Sequence, residues 1–363
     1  MILFVSGEYP PATGGVGDYT ARLRANLANS GWPSRLLSRA QVRHWDARSL
    51  VWLLRATPRG GVVHIQFQAG AYDLLGDVCL MPALVRRFRR GTRVATTFHD
   101  VRTPYLFPRA GNLRRAAVQL LARTSDAVIA ADARDLQALG GPSSRHHHVP
   151  IGSNVPCSPP SGFDRREYRA GLGLGRDTLV VVYFGLRNAS KGLDLLLDAF
   201  DLLRQTGRGA RLLLVGGELG ASDPTDRVTA ERLRARIEWL GSDVVRTGWL
   251  AGPDLSAHLL AADVALLPYR DGASARRGSL LACAEHGLPI VSTLPAATEV
   301  APFVNAVAAE PSALAEAVVR LANEPAVAER LRHASRELAR RTGWPVIAAA
   351  HVAIYERLLY SQR

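Results

Sequence analysis

The sequence predicts an α/β protein built from two parallel sheets in tandem, each wrapped by helices. Three observations carry that expectation. Short apolar, β-branched runs alternate with segments of helical periodicity along the whole chain. A polar, Pro-rich stretch, Gly152–Asp164 (GSNVPCSPPSGFD), interrupts the alternation and has the composition of an interdomain linker. The length of 363 residues suits about two domains rather than one.

In the first half, strands are expected at Ile2–Ser6, Val62–Phe67, Arg93–Phe98, Ala127–Ala130 and His148–Ile151. Helical spacing fits Asp18–Asn29, Val78–Arg90 and Leu113–Arg123. The second half restarts with a strand at Thr178–Phe184, followed by Arg211–Val215, Val244–Thr247, Val264–Pro268 and Ile290–Ser292. Helices are expected between them at Leu193–Arg204, Thr229–Leu240, Asp254–Ala261 and Gly278–His286, with a final amphipathic helix at Pro345–Tyr360. The expected domains are residues 1–164 and 165–343, with 344–363 crossing back to the first. In such folds ligands bind beyond the strand carboxyl ends, and clefts between domains are favoured sites.

Composition excludes several classes. At 47% hydrophobic and 21% charged, the chain is too apolar for a disordered protein. No apolar run is long enough to span a bilayer. Met1-Ile2-Leu3-Phe4-Val5 carries no basic leader, so no secretory signal is expected. Cys79, Cys157 and Cys283 are too far apart for a disulfide framework or a metal knuckle, and His146-His147-His148 lack the other ligands a metal site needs. A reduced, cytoplasmic protein without a bound metal is expected. The net charge of +13 is lopsided: residues 1–164 hold 20 Arg against 10 acidic residues, and residues 165–363 hold 25 basic against 22 acidic. An anionic partner explains the excess, and a general preference for Arg codons explains it equally well. Of the 45 basic residues, 44 are Arg; Lys191 is the exception, which points to a need for a compact ammonium there.

The loops after the strands carry the chemistry. After the first comes Glu8-Tyr9-Pro10-Pro11-Ala12-Thr13-Gly14-Gly15-Val16-Gly17-Asp18. Glycines opening a helix let backbone N–H groups approach an anion at the positive end of the helix dipole. The plainer reading is a tight turn, since neither a dinucleotide fingerprint nor a P-loop is present. Thr97-Phe98-His99-Asp100 places an imidazole at a strand's carboxyl end, where it can meet a sugar hydroxyl or a developing charge. His64, inside Val62-Val63-His64-Ile65, reads as structural. Phe184-Gly185-Leu186-Arg187-Asn188-Ala189-Ser190-Lys191-Gly192 presents two cations before a helix, a pattern suited to a diphosphate. Ser274-Ala275-Arg276-Arg277-Gly278-Ser279-Leu280 forms a second basic, small-residue entry to a helix.

Taken together and in order, these segments resemble the retaining glycosyltransferases of the GT-B fold in glycosyltransferase family 4. The segments are Glu8-Tyr-Pro-Pro with Gly14-Gly-Val-Gly17, Phe98-His99-Asp100, Phe184-Gly185 with Lys191-Gly192, and Leu212-Leu-Leu-Val-Gly-Gly217. Thr247-Gly248-Trp249-Leu250, Ala262-Asp263-Val-Ala-Leu-Leu-Pro268 and Gly287-Leu-Pro-Ile-Val291 complete the match, which covers almost the whole chain. The resemblance implies two Rossmann-like domains facing across a cleft, a nucleotide-diphosphate sugar as co-substrate and no other cofactor. It implies His99, Lys191 and Arg187 as catalytic groups. Gly15, Gly17, Gly217, Trp249, Leu250, Ser274, Arg276, Arg277, Gly278, Ser279 and Leu280 then line the donor, and Tyr9, Gly14 and Asp100 the acceptor. Transfer in the family is retaining and needs no metal.

Two departures from the family pattern stand out. Its two glutamates, eight positions apart, fall on Ser274 and Ala282, and Glu285 lies one helical turn beyond. Its arginine after Gly185 falls on Leu186, with Arg187 one residue late. Arg276 and Arg277 are expected to grip the diphosphate instead. A GT-B protein acting on the sugar nucleotide without transfer (an epimerase or hydrolase) and a non-catalytic binder of anionic surfaces are the alternatives. The basic first domain fits a lipid-linked or otherwise anionic acceptor, with glycan and small-molecule acceptors open. Arg86-Arg87-Phe88-Arg89-Arg90 has the pattern of peripheral contact with the inner face of a membrane, the plainer reading being a solvated helix face. The arginines lack the interleaved aromatics of a nucleic-acid platform.

Overall fold

The structure, a computed structural model, describes the chain apart from residues 12–13, 43, 74–75, 100, 102–110, 186–190, 208, 218–225, 251 and 361–363. The chain divides into two compact units, Met1–Gly152 with Gly343–Arg363, and Ser153–Thr342. The break falls earlier than the expected boundary at residue 164. The Pro-rich stretch belongs to the second unit because it is tied there: the Ser158 amide donates to Ser256 Oγ at 2.9 Å.

The first unit runs β1 (Ile2–Ser6), α1 (Gly15–Asn29), β2 (Ser34–Leu37), α2 (Ala47–Ala56), β3 (Gly61–Phe67) and α3 (Met81–Phe88). It continues with β4 (Thr92–Phe98), α4 (Gly111–Thr124), β5 (Ala127–Ala130), α5 (Ala133–Ala138) and β6 (His146–His148), and the last helix of the chain, α13 (Trp344–Tyr360), closes it. The strands form one parallel six-stranded sheet in the order β2-β1-β3-β4-β5-β6. One face buries Leu50, Leu53, Val85 and Leu121 from α2, α3 and α4; the other buries Tyr19, Leu23 and Leu27 of α1 with Ile347, Ile354 and Tyr355 of α13. The helix expected to cross back therefore does so, because its apolar stripe completes that second core.

Two expected elements are corrected. The strand placed at His148–Ile151 is His146–His148, since Val128, Ile129 and Ala130 pair with those three residues. The single helix expected over Val78–Arg90 is a 3-10 turn, Asp77–Leu80, followed by α3. Pro82 starts α3 without an amide to donate, and Gly91 at φ +80° turns the chain soon after its end.

The second unit runs α6 (Arg165–Gly171), β7 (Leu179–Phe184), α7 (Leu193–Gln205), β8 (Ala210–Val215), α8 (Asp226–Leu240) and β9 (Val244–Gly248). Then come α9 (Gly252–Ala261), β10 (Val264–Leu267), α10 (Gly278–Glu285), β11 (Ile290–Thr293), β12 (Asn305–Val307), α11 (Pro311–Asn323) and α12 (Pro325–Arg341). Its parallel sheet has the order β12-β11-β10-β7-β8-β9. After β7 the chain winds outward through β8 and β9, then returns to place β10 on β7's other side. The strand order thus reverses between β7 and β10, and the loops beyond their carboxyl ends flank the switch point where such sheets bind ligands. In the first unit the reversal falls between β1 and β3.

Candidate active site

In the second unit the sheet's carboxyl edge is stripped to backbone. Gly185 after β7 and Gly216 after β8 have φ of +139° and +125°, which favour glycine. A Cβ on Gly216 would press on the Gly185 carbonyl, and one on Gly185 would approach Ser279 at 3.6 Å. The Gly185 amide donates to Val215 O at 3.0 Å and that of Gly216 to Gly248 O at 3.1 Å, holding the three strand ends together.

Beside this edge two cations share one aromatic ring. Lys191 stands immediately before Gly192, whose φ of +65° opens α7 and whose missing side chain admits the Pro268 carbonyl. Lys191 Nζ lies 5.1 Å from the centroid of Tyr269, and Arg277 Cζ lies 4.7 Å from the same centroid. Tyr269 is fully buried, and its hydroxyl hydrogen-bonds Ser279 Oγ at 2.7 Å. Arg277 also pairs with Asp271. Burial first, and then the neighbouring Arg277, lowers the Lys191 ammonium to about 8; Asp271 works in the opposite direction.

Arg277 is the N-cap of α10 and makes no side-chain cap. The first intrahelical bond runs from Leu281 N to Arg277 O, so the amides of Gly278, Ser279 and Leu280 have no intrahelical acceptor. Bare amides, the helix dipole and two cations make an anion site. Asp271 offsets only part of that charge.

The other residues expected around the donor fall out unevenly. Leu280 has no exposed surface, so its side chain belongs to the core and only its backbone faces a ligand. Ser274 is buried, and its carbonyl accepts from Arg277 N at 3.1 Å to set the turn into α10. Ala282 is wholly enclosed, its carbonyl taken by His286 Nδ1 at 2.8 Å. Glu285 is half-buried, with its carboxyl raised by burial. Arg276 is half-buried and Gly278 exposed, while Gly217 has open space where a side chain would stand. Trp249, beyond β9, is 77% exposed and followed by Leu250, which gives the sheet edge a free flat surface. Arg187 and Asp100 lie outside the described residues.

In the first unit the glycine loop is a tight packing device with an acid beside it. Gly14 has extended backbone, and a side chain there would strike the Glu8 carboxylate. A Cβ on Gly17 would stand 3.1 Å from Tyr9 Cα, whereas Gly15 faces open space. Burial raises the carboxyls of Glu8 and Asp18 above their usual range. Tyr9 Oη accepts from Arg24 Nη1 at 2.9 Å. His99, at the end of β4, meets Gln66 Oε1 through Nε2 at 2.8 Å and stands edge-on to Tyr19 at 4.8 Å. Burial, with His351 adding to it, pushes its imidazole down to about 3, so it is neutral.

The basic cluster near α3 is partly structural. Arg86 Nη2 donates to Thr124 O at 2.8 Å and Arg89 Nε to Leu54 O at 2.9 Å, so both brace neighbouring elements. Arg87 lies over the Phe88 ring at 5.2 Å, and Arg87 and Arg90 are exposed. Among the described residues no cluster of three His, Cys, Asp or Glu could hold a metal, and no helix is long and apolar enough to cross a membrane.

Residues 178–324 match the family model described as Glycosyl transferases group 1. The matched stretch falls within the second unit. A D-inositol 3-phosphate glycosyltransferase of Streptomyces griseus is 30% identical over 231 residues, 60% of this chain and 48% of that relative. The chain thus matches about half the length of the curated relatives it resembles. Among solved structures, the sucrose-phosphate synthase of Thermosynechococcus elongatus aligns over 99% of both chains with a TM-score of 0.73 and 20% identity. Anabaena HepE, solved in complex with UDP and glucose, aligns over 98% of both chains with a TM-score of 0.70 and 18% identity. At such identities these likenesses show the fold, which is the GT-B class with two Rossmann-like units. The anion site formed by Lys191, Tyr269, Arg277 and α10 lies inside the stretch that matches the family model.

Tyr269, Asp271, Glu8 and Gln66 are the site groups that sequence reasoning did not assign. Tyr269 carried a usable signal, since it stands two residues beyond β10 at the switch point. Gln66 carried none, because alternation inside a buried strand does not distinguish a working amide from a packed one.

Proposed function

We propose that the protein transfers a glycosyl group from a nucleoside-diphosphate sugar to an acceptor hydroxyl, with retention of configuration and without a metal. The observation that carries this reading is the pair of cations on one Tyr269 ring at the bare N-terminus of α10. A diphosphate gains negative charge as it departs, and preorganised cations and amides lower that barrier where another enzyme uses a divalent ion. The acceptor oxygen bonds to the anomeric carbon as the bond from that carbon to phosphate breaks. The acceptor's proton passes to the departing phosphate oxygen, so atoms and charge balance with no further reactant. In the second unit Lys191 and Arg277 hold the diphosphate and Trp249 offers a face to the base; in the first unit, taken by itself, His99 and Glu8 are polar groups suited to hydroxyls.

UDP is the favoured nucleotide because the structural relative HepE holds UDP. A phosphorylated polyol or sugar is the favoured acceptor because the curated relative is an inositol-phosphate glycosyltransferase. The test is nucleoside diphosphate release from UDP-, GDP-, ADP- and dTDP-sugars, with and without a panel of inositol and sugar phosphates. Acceptor-dependent release, giving a product with the donor's anomeric configuration and undiminished by chelator, is the expected result. Release without acceptor would replace transfer by hydrolysis, and conversion of the donor to an isomeric sugar nucleotide with no diphosphate released would replace it by epimerisation.

We extend the proposal to an acceptor presented at an anionic lipid surface. Val51 and Trp52 on α2 and Phe88 on α3 are exposed, beside exposed Arg48, Arg55, Arg87 and Arg90. Aromatic and aliphatic side chains among cations suit an anionic interface. Co-sedimentation with phosphatidylglycerol vesicles, but not with neutral ones, is expected, and Trp52→Ser with Phe88→Ser should weaken it. Equal pelleting with both vesicle types would remove this part of the proposal.

A further inference from the structure

Behind His99 runs a buried chain of side chains that the proposed chemistry does not use. Gln66 has no exposed surface, and its amide spans two imidazoles. Its Oε1 lies 2.8 Å from His99 Nε2, and its Nε2 lies 3.1 Å from His64 Nε2. His64 is also fully buried; its Nε2 meets Thr97 Oγ1 at 2.7 Å and its Nδ1 meets the Tyr355 hydroxyl at 2.6 Å. Tyr355 comes from α13, so three strand residues, His99 just beyond β4 and the closing helix share one network.

The donor and acceptor inventory fixes where the protons are. The Gln66 NH2 group only donates, so His64 Nε2 must accept, and the proton of neutral His64 sits on Nδ1, facing Tyr355. The Gln66 carbonyl only accepts, so His99 must donate to it from Nε2. That leaves a lone pair on His99 Nδ1, which no donor among the described residues takes. The groups around this chain favour neutral rings: Tyr19 from α1, His64 from β3, and His351 and Tyr355 from α13 all lie close, and none of them is a carboxylate.

We propose that Gln66 is a positioning residue: it locks His99 as the Nε2–H tautomer, so that Nδ1 accepts a hydrogen bond from a substrate hydroxyl. The inference rests on the glycosyl transfer reading for the identity of the substrate, but the tautomer itself does not. A site of this kind selects a hydroxyl and rejects an acceptor-only group, such as fluorine or a carboxylate, at the same place.

Nitrogen-15 spectra of the histidine side chains in the wild-type protein test the tautomer directly, with His99→Gln and His64→Gln used for assignment. Proton on Nε2 of His99 and on Nδ1 of His64 is the expected result; the reverse arrangement, or a doubly protonated His99 at neutral pH, overturns the proposal. A protein with these tautomers and no transferase activity would instead sink the function and leave the lock standing. Kinetics give the second arm. Gln66→Leu removes the lock and should raise KM for the substrate that His99 contacts on the order of tenfold, the worth of about one good hydrogen bond. Gln66→Glu keeps an acceptor for His99 Nε2 and should rescue KM at neutral pH. Its carboxylate favours the imidazolium, whose Nδ1 then donates, so KM should climb as pH falls from about 7.5 to about 5.5 while the wild type stays flat. A merely structural role predicts the opposite order, with buried Glu worse than Leu and no new pH dependence.

Discussion

Lys191 is held on the Tyr269 ring with its ammonium lowered to about 8 by burial and by Arg277. Removing it as Lys191→Ala should cut turnover by on the order of a hundredfold or more, the scale of losing one preorganised charge partner. The fold should survive, checked by an unchanged melting curve. The same placement sets a pH limit. The ammonium is present below about 8 and is lost as pH rises through that value, so turnover should fall on the alkaline side. Arg277→Gln removes the cation that disfavours the charged lysine, and should move that alkaline limb to higher pH while weakening donor binding. A pH–rate profile of both proteins checks the sign.

Tyr269 gives a cleaner separation of scaffold from site. Tyr269→Phe loses only the 2.7 Å bond to Ser279 and should cost about 1 kcal/mol of stability, whereas Tyr269→Ala empties a fully buried ring position and should cost about 3–5 kcal/mol. Denaturant unfolding monitors both. Single residues with strong local chemistry were legible in the sequence: the unique lysine, the glycines and the histidine after a strand. Ser274 and Ala282 were legible as departures from a family pattern, but their burial was not, because burial depends on the turn into α10 and on His286. His99's partners were invisible for a different reason. Tyr355 stands far along the chain from His64 and reaches it only because α13 returns to the first sheet.

At the scale of elements, the central strands were readable because both faces are covered and their sequences are continuous apolar runs. Ser34–Leu37 and Asn305–Val307 were not, since each is a short edge strand with polar residues and part of its surface open to solvent. The helix Ala47–Ala56 carries a sequence signal of its own: Leu50 and Leu53 are buried one turn apart, and Asp46 caps its start by accepting from Ser49 N at 3.0 Å. Helix α7 depends on its first residue in a way that can be tested. Gly192→Ala places a methyl group against the Pro268 carbonyl at a left-handed φ, so the start of α7 and Lys191 with it must shift. Weaker nucleotide binding with most of the stability retained is the expected outcome, measured by calorimetry alongside melting.

Across the whole molecule, the two units carry different liabilities. The first buries His64, His99 and His351 as neutral rings, with His99 held near 3 and His351 near 4, chiefly by burial. Once unfolded these groups titrate near 6.5, so below that pH the unfolded chain binds protons the native unit refuses. Their contribution is therefore present above about 6.5 and is lost as pH falls toward 4. Glu8 and Asp18, raised by burial, oppose the loss, but they are only part-buried and begin to matter at the acid end of the range. Differential scanning calorimetry at pH 7.5 and pH 5 should show the first unit's transition moving down further than the second's. Division into two such units was foreseeable from the restart of the strand pattern. The location of the break was not, because the Ser158 tie to Ser256 depends on a contact made only in the folded chain.

The central claim is that the second unit holds a nucleoside diphosphate on Lys191, Arg277 and the N-terminus of α10. The most direct measurement is thermal melting of the wild type and of Lys191→Ala against UDP, GDP, ADP, CMP and dTDP. A ligand at about 100 times its dissociation constant stabilises by roughly 2.7 kcal/mol, a shift of several degrees for a unit of this size. The account predicts such a shift for one nucleoside diphosphate, UDP first, and its loss in Lys191→Ala. No shift with any nucleotide, or the same shift in the variant, would contradict it.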